Sequence, residues 1–207
     1  LGHSMHSFFS GESQEYIDSD YTIMAAEVAS TVNEVFLTMY LLKTTEDKKQ
    51  RAYVLNHFME GFRTTVYRQT LFAEFEHKAH MMQKDGTPLT ASTLSELYKS
   101  LLEEYYKGAK INDMMAYEWS YIPHFYRAYY VYQYATGFCS AVSIVNNVLS
   151  TGNADNYLKF LSLGGSDYPI EELKVAGVDL TKPDTVRNAL KVFSDAIEEF
   201  AALTEEK

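Results

Sequence analysis

The sequence predicts an all-α fold, and three observations support this prediction. Apolar residues recur at spacings of three and four over most of the chain, which is typical of helices that bury one face. Only four prolines and ten glycines occur in 207 residues, so long helices can run without interruption. No segment shows the strict apolar–polar alternation of a half-buried strand. We therefore expect about eight helical segments and place any sheet outside this chain.

Glycine and proline mark most of the expected helix ends. Gly86 and Pro88 separate two helices, while Gly108 and Gly177 stand where helix C-termini are expected. Pro123 suits the first turn of a helix. The helical segments are predicted at residues 1–9, 22–43, 45–83, 91–107, 123–149, 153–162, 169–176 and 184–203, with a polar loop at 11–20 and an ambiguous stretch at 109–118.

The predicted helix at 45–83 is the longest in the chain. Thr44 and Asp47 form a Ser/Thr-x-x-acid pattern, which indicates a capped helix start. One apolar stripe is expected along this helix. Its members are Tyr53, Phe58, Phe62, Val66, Leu71 and Phe75.

Charge and composition exclude several classes of protein. The chain has 18 basic and 28 acidic residues, and its net charge of −10 argues against binding nucleic acid or an anionic membrane surface. No run of about 18 apolar residues suggests a membrane span. The first ten residues lack the features of a signal peptide, and we expect the chain to begin within a longer protein or after processing. The single Cys139 suits the reducing cytoplasm, where we expect the protein to be.

The N-terminal run from Leu1 to Ser7, Leu-Gly-His-Ser-Met-His-Ser, resembles the second half of the zinc-binding helix motif H-E-x-x-H. In the oligoendopeptidase F family, part of the thimet-type zinc oligopeptidases, this run reads His-Glu-Leu-Gly-His-Ser-Met-His-Ser. The resemblance implies that His3 is a zinc ligand and gives His6 no ligand role. It also implies that the chain, residues 1–207, is the C-terminal part of the catalytic domain and starts inside this helix.

A second run, Ala25 to Thr31, lies in the next predicted helix, and its Glu27 follows His3 by 24 positions. A carboxylate on a small, apolar helix face is costly to bury unless it is paired or binds a metal. The run resembles the Ala-Glu-Val-Ala-Ser-Thr block of the same family, which implies that Glu27 is the third zinc ligand. For Glu34, farther along the helix, a supporting contact to the site and an exposed surface charge are equally favoured.

A third run, from Trp119 to Gly137, contains six tyrosines between positions 121 and 134. If this run is helical, Tyr126, Tyr129 and Tyr130 lie near one another and Tyr132 faces away from Tyr130. Phenol and imidazole groups in a cleft can bind a peptide backbone and stabilise an oxyanion. The run resembles the Ile-Pro-His-Phe-Tyr block of oligoendopeptidase F. The resemblance implies catalytic roles for three of its residues. These are His124, Tyr129 and Tyr132.

Taken together, the resemblance implies a zinc metalloendopeptidase that hydrolyses short peptides, with one zinc ion per intact active site. The first zinc-ligand histidine and the general-base glutamate would precede Leu1, so we expect this chain alone to be inactive. Its partners would be short peptides and the N-terminal part of the same protein, and the surface left uncovered predicts self-association. Two alternatives remain open at this point: a non-enzymatic helical peptide-binding or interaction domain, and a related zinc carboxypeptidase.

Overall fold

The computed structural model describes residues 1–205 and confirms the all-α prediction. Within this range the regular structure consists of α-helices, two 3-10 helices and one π-helical turn, without strands. The α-helices are α1 Gly2–Ser13, α2 Ile23–Thr44, α3 Lys48–Gly61, α4 Arg68–Lys84, α5 Ala91–Tyr105, α6 Tyr132–Thr151, α7 Asp155–Leu161, α8 Pro169–Val175 and α9 Asp184–Thr204. The π-helical turn is Phe62–Tyr67, and the 3-10 helices are Asp113–Tyr121 and Pro123–Tyr126.

The chain forms two compact units. The first unit combines Leu1–Arg63 with the C-terminal part from Thr136 onward, and the second unit is Thr64–Ala135. In the first unit α2 packs against α1, α3 and α8, and α3 packs against α9. In the second unit α5 packs against α4 and against the first 3-10 helix.

Aromatic side chains fill much of the core of the first unit. Phe62 is fully buried, and its ring centroid lies 5.3 Å from that of Phe58, 4.9 Å from that of Phe138 and 4.8 Å from that of Phe193. Rings at these separations gain attraction beyond the area that they bury. The contacts join α3, α6 and α9, which are far apart in the sequence.

The core of the second unit is a cluster carried mainly by α4 and α5, with Val131 added from the segment before α6. Its buried members are Leu71, Phe72, Phe75, Tyr98, Leu101, Leu102 and Val131. The hydroxyl of Tyr98 donates a 2.6 Å hydrogen bond to Glu118, which also pairs with Arg68. The indole nitrogen of Trp119 donates a 3.0 Å bond to the hydroxyl of Ser95. These bonds satisfy polar groups at the margin of the cluster.

The long helix predicted at 45–83 is interrupted, and this part of the prediction was wrong. The π-helical turn divides it into α3 and α4. The stripe residues Phe62, Val66, Leu71 and Phe75 are all buried, but their spacing contains one step of five, between Val66 and Leu71. A π-helical turn accommodates one extra residue, so the buried face continues beyond it.

Three further boundary predictions and the placement of Tyr53 were wrong. The helix cap is Asp47 rather than Thr44, because the Asp47 carboxylate accepts a 2.8 Å bond from the amide of Gln50. Tyr53, assigned to the buried stripe, is 74% exposed. The helix predicted at 123–149 begins as the 3-10 helix Pro123–Tyr126, and the α-helix begins only at Tyr132. The first helix also extends to Ser13, four residues past the predicted end.

Candidate active site

His3 lies in the first turn of α1 with its side chain exposed. Its imidazole has no hydrogen-bond or ion-pair partner among residues 1–205. The neighbouring Gly2 is buried against α2, where a Cβ atom added to Gly2 would lie 2.2 Å from the carbonyl oxygen of Ala29. No real Cβ approaches an oxygen so closely, so the contact requires glycine. Gly2 therefore sets the distance between the two helices beside His3.

Glu27 lies in the second turn of α2, two residues before the contact with Gly2. It is half-buried, and its carboxylate has no hydrogen-bond or ion-pair partner in the described part of the chain. The side chain is flanked by α6, since a Cβ added to Gly137 would lie 3.8 Å from the Cβ of Glu27. Glu34, on the same helix, is exposed, and its carboxylate makes no hydrogen bond or ion pair with residues 1–205. Of the two interpretations of Glu34, this position favours an exposed surface charge over a supporting contact to the site.

The loop between α1 and α2 is held by a glycine pair from elsewhere in the chain. The amide of Gly165 donates a 2.9 Å hydrogen bond to the carbonyl oxygen of Asp18. A Cβ at Gly164, whose φ is +59°, would lie 2.1 Å from the same oxygen. The side-chain amide of Gln14 donates a 2.8 Å bond to the carbonyl of Ser162. This segment supports the loop that joins the His3 and Glu27 helices.

His6 is buried, which fits a structural role rather than metal binding. Only 1% of its surface is exposed, and its ring stacks on Tyr21 with a centroid separation of 3.7 Å. Burial, with a smaller contribution from the nearby His3, lowers the pKa of His6 to about 4. Its Nδ1 atom has no hydrogen-bond partner within the described part of the chain.

His3 and Glu27 do not complete a metal site by themselves. Across residues 1–205, no group of three or more His, Cys, Asp or Glu side chains is placed to hold a metal ion. An imidazole nitrogen and a carboxylate oxygen are nevertheless suitable zinc donors, and neither is bonded to another side chain of the described residues. By donor type, the two residues are compatible with part of a zinc site.

His124 lies in the 3-10 helix Pro123–Tyr126 of the second unit, with its side chain exposed. Its ring stacks on Tyr130 at a centroid distance of 5.9 Å and meets the edge of Tyr134 at 6.0 Å. The guanidinium of Arg127 lies over the ring of Tyr130 at 4.7 Å. These contacts make His124 part of an aromatic group at the surface.

Tyr129 lies in the irregular segment between Tyr126 and Tyr132, and its φ is +56°. Its backbone amide donates a 2.7 Å hydrogen bond to the carboxyl of the buried Glu76 on α4. Its ring stacks on His80 with centroids 5.0 Å apart. The sequence indicates no role for Glu76 or His80, because no local pattern shows that Glu76 meets Tyr129 across 53 positions.

The helical arrangement expected for the tyrosines was wrong, because residues 127–131 are not helical. Tyr126 is 90% exposed and stacks on no other ring of the described chain. Tyr130 contacts His124 and Tyr134 instead of Tyr126. Tyr132 begins α6 and is 43% exposed.

The comparison with protein families identifies the chain. The model of peptidase family M3 matches residues 1–192. The chain belongs to peptidase family M3. It is 48% identical to oligopeptidase PepF of Bacillus subtilis over 206 residues, which cover 98% of this chain and 31% of that protein. It is 45% identical to the group B oligopeptidase PepB of Streptococcus agalactiae, covering 98% of the chain and 34% of the relative.

A solved structure has a similar fold. The oligoendopeptidase F of Enterococcus faecium superposes with a TM-score of 0.90 at 44% identity, covering the whole of this chain and 38% of that one. The chain thus spans about a third of the length of the curated relatives that it matches. No helix within residues 1–205 is long and apolar enough to cross a membrane.

Proposed function

We propose that this chain is part of a zinc metalloendopeptidase that hydrolyses short peptides in the cytoplasm. The observation that carries the proposal is the pair of unpartnered donor side chains, His3 and Glu27, on two helices that touch at Gly2 and Ala29. A carboxylate that is half-buried without a partner is unfavourable unless a ligand compensates it. Membership of peptidase family M3 supports the choice of reaction.

His3 and Glu27 are the residues that would hold the zinc ion. Structural and catalytic zinc sites take three or four ligands, so the parent protein must supply at least one more. When bound, zinc would act as a Lewis acid toward the peptide carbonyl. Gly2 lies in direct contact with α2, and Gly164 and Gly165 support the α1–α2 loop. These contacts fix the two helices that carry the two donors.

His124, Tyr129 and Tyr132 would bind the substrate. All three side chains are exposed in the second unit. A phenol hydroxyl can donate to the backbone carbonyls of a peptide and to the oxyanion formed as its carbonyl is attacked. A neutral imidazole can donate through one nitrogen, and the stacking of His124 on Tyr130 restricts its orientation.

The isolated chain would be inactive, because two donors do not close a zinc site. We expect no zinc-dependent cleavage of an internally quenched peptide by the purified chain. Cleavage that a zinc chelator abolishes would contradict this part of the proposal. As a positive control, the remaining N-terminal part of the parent protein is added as a separate polypeptide. Cleavage by the mixture would show that the purified chain is correctly folded.

Exposed apolar side chains on the first unit would promote self-association of the isolated chain. Phe8 is 58% exposed, Tyr16 is 96% exposed and Ile17 is 85% exposed. Large apolar groups that lie close in the sequence and face water are typical of surfaces that another chain covers. A monomeric mass in light scattering at high concentration would contradict this expectation.

The full-length parent protein gives the decisive test of the reaction. A peptide blocked at both ends should be cut internally, and the activity should be lost with chelator and restored by zinc. The variants Glu27→Ala and His3→Ala should abolish cleavage, whereas His57→Ala, at an exposed histidine on α3, should not. Release of a C-terminal residue only from a free C-terminus would indicate a carboxypeptidase, and binding without cleavage would indicate a non-enzymatic peptide-binding domain.

A further inference from the structure

Tyr129 has an unusual backbone conformation. It is the only residue other than glycine with a positive φ among residues 1–205. The left-handed region is unfavourable for side chains with a Cβ, and a tyrosine remains there only when surrounding contacts hold it. The contacts that hold Tyr129 therefore determine where its ring and hydroxyl lie.

The backbone of Tyr129 is held by Glu76. The amide nitrogen of Tyr129 lies 2.7 Å from the Glu76 Oε1 atom, and Glu76 is 5% exposed. A buried carboxyl is costly unless it makes hydrogen bonds, and this bond crosses 53 positions of sequence. The conformation of Tyr129 and the burial of Glu76 thus depend on each other.

The ring of Tyr129 is held by the same helix face. His80 lies four residues after Glu76 on α4, so the two side chains are neighbours on one face. The rings of His80 and Tyr129 stack with centroids 5.0 Å apart and planes 24° apart. One helix therefore fixes both the backbone and the ring of Tyr129.

We propose that Glu76 is a positioning residue that holds Tyr129 in the orientation from which its phenol donates to the oxyanion. This inference rests on the function proposed above for Tyr129. Glu76 acts through the Tyr129 amide and does not touch the substrate. Loss of the bond would let residues 127–131 relax toward ordinary backbone angles and would displace the Tyr129 phenol.

The test uses the full-length parent protein with its zinc. Glu76→Leu removes the acceptor, and we expect kcat to fall about 30-fold with KM changed less than about threefold, because misplacement of a catalytic group costs rate. Glu76→Gln keeps an acceptor oxygen and should retain kcat within about threefold. Glu76→Asp shortens the side chain with little loss of core volume, and its kcat should fall as much as that of Glu76→Leu.

A matched control comes from the same helix. Glu74 is half-buried, accepts a 2.8 Å bond from Tyr105 and pairs with Lys78 at 2.6 Å, but it makes no contact with Tyr129. Glu74→Leu should leave kcat within about threefold of the wild type. An equal fall in kcat for both leucine variants would mean that general loss of stability explains the effect, and the proposal would be overturned.

A double-mutant cycle separates positioning from a purely structural role. Tyr129→Phe should lower kcat in the wild-type background and have little further effect after Glu76→Leu, because the phenol is already displaced. Additive losses would overturn the proposal. Zinc content should stay the same in all four proteins.

Hydrogen exchange tests the Glu76 contact without reference to activity. The Tyr129 amide should be protected in the wild type and in Glu76→Gln and should exchange rapidly in Glu76→Leu. An unprotected Tyr129 amide in the wild type would overturn the positioning role. If the Tyr129 amide is protected but the protein cleaves no peptide, the Glu76 contact is confirmed and the proposed function is rejected.

Discussion

Gly2 of α1 packs directly against the carbonyl oxygen of Ala29 in α2. His3 follows Gly2 in α1, and Glu27 precedes Ala29 by two residues in α2. A side chain at this position would have to displace backbone, which cannot yield as a flexible side chain does. The spacing of the two helices that carry the proposed zinc ligands thus depends on a single glycine.

Gly2→Ala should destabilise the chain. The added Cβ would lie 2.2 Å from the Ala29 oxygen, and overpacking of this kind costs about 1–3 kcal/mol in the free energy of unfolding. Gly11→Ala is the matched control, since a Cβ at this position of the same helix meets no atom within 4 Å. It should stabilise the chain by about 0.5–1 kcal/mol, as alanine favours helix over glycine. Urea unfolding of the two variants measures both effects, and equal stabilities would contradict the prediction.

Gly164→Ala should lower the thermal unfolding midpoint more than Gly108→Ala does. Both glycines have positive φ, +59° and +85°, so both substitutions carry a conformational cost of about 1–2 kcal/mol. Only at Gly164 would the Cβ also strike the carbonyl oxygen of Asp18, whereas nothing lies within 4 Å at Gly108. Equal decreases in the two midpoints would mean that the contact with the α1–α2 loop adds nothing.

Acid should weaken the fold through His6. Its pKa is about 4 in the folded chain against an ordinary value of 6.5, so the unfolded chain binds a proton that the folded chain excludes. Stability from this group is complete above pH 6.5, declines as the pH falls toward 4 and is constant below that. The loss is about 3 kcal/mol, at 1.36 kcal/mol per pKa unit.

The contribution of His6 can be isolated with His6→Phe, which keeps an aromatic ring against Tyr21 and does not titrate. The difference in unfolding free energy between wild type and variant should change between pH 7 and pH 4. A constant difference across that range would disprove the assignment of acid sensitivity to His6.

Tyr132→Phe in the full-length parent should lower kcat about 10²–10³-fold if its hydroxyl donates to the oxyanion, because one such donor typically contributes that much. KM should change little, since the interaction forms mainly in the transition state. Tyr121→Phe, at a 70% exposed tyrosine of the same sequence run, is the control and should keep full activity. Steady-state kinetics on a blocked peptide distinguish the two variants.

His3 and Glu27 could be proposed as zinc ligands from the sequence, whereas the contacts that support their helices could not be predicted. His3 and Glu27 lie in short runs whose residue types and spacing resemble a known metal site. The contacts of Gly165 with Asp18 and of Glu76 with Tyr129 join positions that are far apart in the sequence. No local pattern encodes such pairs, because they arise only when helices from distant segments pack together.

The helices themselves could be predicted where apolar spacing is regular. The predictions were wrong where the backbone is not α-helical. These segments are the π-helical turn at Phe62–Tyr67 and the irregular residues before Tyr132. The five-residue step from Val66 to Leu71 was the available signal for the first. No sequence signal indicated the left-handed conformation of Tyr129. Tyrosine does not favour that conformation, and only the tertiary contacts with α4 impose it.

Zinc content of the full-length parent protein tests the central claim most directly. Elemental analysis after dialysis without chelator should give about one zinc per chain for the wild type and for two controls at exposed residues, Glu12→Ala and His57→Ala. Glu27→Ala and His3→Ala should each hold far less, because each removes a ligand. If Glu27→Ala retained one zinc per chain, Glu27 would not be a ligand and the proposed active site would be wrong.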